Sequence, residues 1–75
     1  MQRYKNLGGD SGVSAYEIGN DYIKVEFLGG SLYLYNYNSA GRHHIDTMKQ
    51  LAHAGEGLNS YINRNVKKAY ASKLR

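Results

Sequence analysis

The sequence predicts an α+β fold: a small antiparallel β-meander of about three strands, with a central hairpin over residues 22–37, followed by two short helices packed on one face. Three observations predict it. Apolar and polar residues alternate strictly from Tyr22 to Leu28, a glycine pair (Gly29-Gly30) separates that run from a second strand-like run, and beyond Gly41 the apolar spacing changes from two to about 3.6.

Residues 1–12 are rich in Gly, Asn, Ser and charge and carry no apolar period, so they read as a mobile arm or a short edge segment. Val13–Ile18 is a short strand candidate closed by Gly19-Asn20-Asp21, which is turn chemistry. In the next strand Ile23, Val25 and Phe27 share one face while Lys24 and Glu26 take the other. Ser31–Tyr37 is its partner across the glycine turn. Ile45, Met48, Leu51 and Ala52 then form one helical stripe, ended by Gly55-Glu56-Gly57. A second helix is expected from near Leu58, with Leu58, Ile62, Val66 and Ala69 as its core stripe, flanked by Tyr61 and Tyr70. The organisation expected is an arm over 1–12, a single domain over 13–70 and a basic tail over 71–75.

At 75 residues the chain has room for one domain, and a core this small commonly needs disulfides, a metal or self-association to supplement it. There is no Cys, which removes disulfides and thiolate metal sites and leaves a homo-oligomer as an expectation. No apolar run approaches the ~20 residues of a membrane helix, and the first residues have no signal-peptide character, so a cytoplasmic protein without membrane contact is predicted. The formal charge is +4, and after Glu56 the chain carries Arg64, Lys67, Lys68, Lys73 and Arg75 with nothing negative. A cationic segment of that kind suits phosphates or an acidic protein surface; its structural alternative is a solvated helix face with a frayed end.

Tyr61-Ile62-Asn63-Arg64-Asn65-Val66-Lys67-Lys68-Ala69-Tyr70 resembles the C-terminal motif of the KTSC family, roughly Tyr-Phe-Asn-Arg-x-Ile-Arg-x-x-Tyr. Upstream, Val25-Glu26-Phe27 followed by Gly30-Ser31-Leu32-Tyr33-Leu34-Tyr35 is similar to that family's Val-Glu-Phe, glycine turn and Tyr-x-Tyr. The likeness spans about residues 11–70. It implies a small domain of the kind found at the C-terminus of some lysyl-tRNA synthetases and as free-standing bacterial proteins, for which RNA binding has been suggested.

Eight tyrosines stand in the chain, and Tyr33, Tyr35 and Tyr37 would share one face of one strand. A two-residue Gly29-Gly30 loop would place Leu32 and Leu34 in the core and the three tyrosines outside as a stacking platform. A three-residue Leu28-Gly29-Gly30 loop, with Gly30 left-handed in a G1 bulge, would turn Tyr33 and Tyr35 inward, because a one-residue slip reverses every side chain. The KTSC family often has a basic residue at the position of Leu34, which favours the second register, since a charge there would rarely be buried.

Arg64, Lys67 and Lys68 lie three and four apart, a spacing that crowds like charge on a helix at about 0.2–0.5 kcal/mol per pair and that an anionic partner would relieve. Asn63 and Ser60 add neutral donors beside them, with Lys73 and Arg75 as a flexible basic extension. His43, His44 and His53 do not converge on a helix as a zinc site requires, and the His43–Asp46 pair lacks a nucleophile to activate. The expectation is therefore a non-catalytic, cofactor-free module. Asn63, Arg64, Lys67, Lys68 and Lys73 would bind RNA or another phosphate-rich ligand, and Tyr33, Tyr35 and Tyr37 are candidates for stacking. Two further readings are an oligomer that captures an anionic nucleotide or metabolite at a subunit seam, and a protein-interaction module.

Overall fold

A computed structural model describes residues 1–9 and 11–75. In chain order the elements are β1 (Gln2–Arg3), β2 (Val13–Ile18), β3 (Tyr22–Phe27), β4 (Leu32–Asn36), α1 (Tyr37–Ala40), α2 (Arg42–Ala54), α3 (Leu58–Tyr61), a π-helical turn (Ile62–Val66) and β5 (Ser72–Lys73). The strands make one antiparallel sheet in the order β1-β2-β3-β4-β5, and the helices cover one face of it. The α+β class and meander are as the sequence predicts, with five strands where about three were expected.

The hairpin takes the three-residue loop. Val25 pairs with Tyr33 and Ile23 with Tyr35. The Phe27 amide donates to the Ser31 carbonyl at 2.8 Å, and Gly30, at φ +95°, donates to the Phe27 carbonyl at 2.9 Å. Ile23, Val25 and Tyr35 are therefore fully buried, while Leu32 and Leu34 lie opposite Glu26 and Lys24 on the outer face. In β2, Val13 and Tyr16 both reach the core although they are three apart, which simple alternation forbids. A register shift between Val13 and Ala15 inserts the extra residue that returns Tyr16 to the inner face.

Tyr37 does not continue β4. The Asn36 side chain accepts from the Ser39 amide at 2.8 Å and the Ser39 hydroxyl accepts from the Asn36 amide at 3.0 Å, a reciprocal capping box that starts α1 and draws Tyr37 into its first turn. The three tyrosines expected on one strand face are thus two. Ile45, Met48 and Ala52 of α2 are buried as the stripe predicts, and the helix stops at Gly55 in the left-handed region.

Leu58, Ile62 and Val66 are buried in turn, but they do not lie on one regular α-helix. Apolar residues at strict four-residue intervals outrun the α period of about 3.6, and widening the turn to a π-helical one keeps Ile62 and Val66 on the sheet.

Both chain ends are tied down. Gln2 and Arg3 pair with Tyr16 and Ala15, and Tyr4 behind them is 3% exposed, so the segment expected as an arm takes the edge-strand form. The tail, expected to be flexible, forms β5 with Lys73 opposite Tyr33 and Ser72 opposite Leu34, and Arg75 pairs with Glu26. Edge carbonyls of β4 hold the C-terminal segment: Ala71 donates to Leu34 and Leu74 to Leu32 at 2.6 and 2.7 Å.

Candidate binding groove

The inward register leaves Tyr33 only partly covered, beside the last helical turn at the loop end of the hairpin. Between them lies a groove of about 330 Å³. Its floor is aromatic: Phe27, Tyr33, Tyr35 and Tyr70, with Ile62 at the back. Its polar rim consists of Ser31, Asn59, Asn63 and Lys67.

The rings form a connected set. Tyr33 and Tyr35 are stacked with centroids 6.4 Å apart and planes inclined at 29°. Tyr70 stands edge-on to Tyr33 at 4.8 Å, and Phe27 meets Tyr33 edge-on at 5.7 Å. Such edge-to-face pairs are the favoured aromatic geometry and hold the floor in place. Tyr70 itself is 39% exposed, so one face of the set is open to solvent. Burial, followed by the neighbouring Tyr33 and Tyr70 hydroxyls, pushes the Tyr35 phenol up to about 12. Its hydroxyl therefore stays protonated well above neutral pH.

The groove unites two sets of residues that the sequence singled out separately. Tyr33 and Tyr35 come from the hairpin, Asn63 and Lys67 from the C-terminal turn. Lys73 joins them from β5, its ammonium 5.9 Å from the Tyr33 ring centroid. Arg64 and Lys68 are exposed but do not line the groove. Three ion pairs occur among the described residues, Lys24–Glu17, Arg42–Asp46 and Arg75–Glu26. Arg64, Lys67, Lys68 and Lys73 have no acidic partner among the described residues, so the groove side is electropositive.

Tyr37 lies outside the groove, between Arg42 and Lys49 at 5.6 and 5.5 Å, with its hydroxyl donating to Asp46 at 3.1 Å. Asp46 is thereby engaged by Tyr37 and Arg42, not by His43. His44 Nδ1 is 2.6 Å from the Tyr61 hydroxyl and His53 packs edge-on to Tyr16, so the histidines point to different neighbours. Among the described residues no three His, Cys, Asp or Glu side chains are placed to hold a metal ion, and no helix is long and apolar enough to cross a membrane.

Phe27, Ser31, Asn59, Ile62 and Tyr70 are groove residues that sequence reasoning left out as site candidates. Asn59 stands one helical turn before Asn63, which stands one before Lys67, and that spacing is the one signal that could have joined them. Compared with known proteins, the chain matches no family model, no curated protein and no solved structure.

Proposed function

We propose that this chain is a non-catalytic module that binds single-stranded RNA, taking an unpaired base against Tyr33, Tyr35 and Tyr70 and the adjoining phosphates on Lys67 and Lys73. The observation that carries the reading is the groove with an aromatic floor and an amide-bearing rim, with Lys67 in its lining and the Lys73 ammonium over the Tyr33 ring. Unpaired RNA is recognised in this way because its bases can be splayed out and stacked on aromatic side chains, whereas duplex bases are already stacked on one another. Stacking contributes about 1–3 kcal/mol per base without demanding a sequence, and the lysines add the salt-dependent part. Arg64 and Lys68, on the outside of the same turn, would extend the path of the backbone. The resemblance of residues 11–70 to the KTSC family points the same way.

Anisotropy titrations of a labelled single-stranded RNA across a range of salt concentrations test the reading. Lys67→Gln is expected to weaken binding and to flatten the log–log salt slope by about 0.7, the value for one phosphate contact on a single strand. Affinity that ignores salt, or a slope unchanged in the variant, would sink it. The volume of the groove also favours a second reading, capture of a mononucleotide, since small-ligand pockets begin at about 300 Å³. Thermal stabilisation by a free mononucleotide, with a dimer or larger assembly in light scattering, would select it.

A further inference from the structure

Resting on the RNA-binding reading, we infer that Glu26 and Arg75, neither of which lines the groove, are positioning residues for it: their ion pair fastens the segment that presents Tyr70 and Lys73 to the RNA. Tyr70 stands edge-on to Tyr33 at 4.8 Å, and the Lys73 ammonium lies 5.9 Å from the centroid of the same ring. Both belong to residues 70–75, a stretch without one buried side chain. Its backbone is tied only along the edge of β4, where the Ala71 and Leu74 amides donate to Leu34 and Leu32 and the Arg75 carbonyl accepts from the Leu32 amide at 3.2 Å. A two-residue strand that buries no apolar surface is marginal, so it opens easily unless a side chain holds it.

Arg75 supplies that hold. Its Nε donates to the Gly30 carbonyl at 3.2 Å, and a terminal nitrogen donates to Glu26 Oε2. No other side chain of residues 70–75 makes a hydrogen bond or an ion pair among the described residues. Glu26 is itself anchored, since its Oε1 accepts from the Ser14 hydroxyl of β2 at 3.2 Å. Its side chain is 27% exposed, the least of the six in the three ion pairs, so solvent screens it least. The guanidinium thus joins the segment to β3 and to the glycine loop at once, on residues that leave the groove's lining free. A carboxylate close to a phosphate-binding surface would by charge alone oppose the ligand. As the anchor of Tyr70 and Lys73 it favours the ligand instead, and the two roles predict effects of opposite sign.

The test uses the intact chain and a labelled single-stranded RNA titrated over a range of salt concentrations. Glu26→Lys adds two positive charges to a chain of net charge +4, so electrostatics alone predicts tighter binding. The positioning role predicts the reverse: binding about two- to five-fold weaker at low salt, with the log–log slope lower by about 0.7 because Lys73 no longer meets its phosphate. Glu26→Lys combined with Arg75→Glu rebuilds an ion pair at unchanged net charge and should recover both. In proton spectra of the free protein, the Lys73 side chain should lose its ring-current shift from Tyr33 in Glu26→Lys and regain it in the double variant. Both residues are partly exposed, so neither substitution removes core packing, and a thermal unfolding midpoint close to that of the wild type would verify it. Binding by Glu26→Lys as tight as the wild type's or tighter, or a loss that the double variant does not recover, would overturn the positioning role and leave RNA binding standing. Lys73 resonances that stay in place in Glu26→Lys would overturn it as well. A wild type that binds no RNA would overturn the RNA reading together with the inference.

Discussion

Tyr35 is both a core residue and part of the groove wall, and its phenol records that double position. Its pKa rises from about 10 in an unfolded chain to about 12 in the fold, because burial disfavours the phenolate. The neutral form is thus the one that folding protects. Stability from this group is fully present below pH ~10 and falls between pH ~10 and ~12 by about 1.4 kcal/mol per pH unit. Urea unfolding of the wild type and Tyr35→Phe at pH 9 and pH 11 checks the sign: the wild type should lose more stability than the variant over that interval. A parallel loss would mean that other tyrosines carry the alkaline transition. The identity of Tyr35 as an aromatic strand residue was legible in the sequence; which way it faced was not, since that depended on one residue of loop length.

Loop and cap chemistry govern the elements. Gly30 holds the hairpin register at φ +95° with open space around its Cα, so a side chain there meets strain of backbone origin and no clash. Gly30→Ala should cost about 1–2 kcal/mol, whereas Gly29→Ala, also in open space and without a positive φ, should be close to neutral. Asn36→Ala removes the side chain that ends β4 and starts α1, at about 1 kcal/mol. Urea denaturation of the three variants measures these differences, and a Gly29 variant as unstable as the Gly30 variant would contradict the bulge assignment. Alternation and helical stripes made β3, β4 and α2 readable. The two-residue strands β1 and β5 were not, because a pair of residues has no alternation to read and is placed by the carbonyls of its neighbour. The π-helical turn was hidden for a similar reason: its apolar residues fit an α-helix locally, and only the sheet beneath them demands the wider turn.

The molecule as a whole uses its two ends to complete its core and its groove. Tyr4, at 3% exposure, packs under the helices and its hydroxyl accepts from the Leu58 amide at 3.3 Å. Tyr4→Ala should therefore cost about 3–5 kcal/mol, a large share of the ~5–15 kcal/mol that holds a domain together, where a solvated arm would lose less than ~0.5. Calorimetry or urea unfolding distinguishes the two. At the other end, β5 sets Lys73 beside Tyr33 and gives the groove its second cation. By itself the sequence determined the fold class, the central strands, the α2 stripe and the cationic surplus after Glu56, because period and charge are local properties of a chain. Only the tertiary structure decided that Tyr33 and Tyr35 face the same groove as Asn63 and Lys67, while Tyr37, Arg64 and Lys68 do not. That choice follows from a three-residue loop, a capping box and a widened helical turn, and each of these depends on how one element is placed against another.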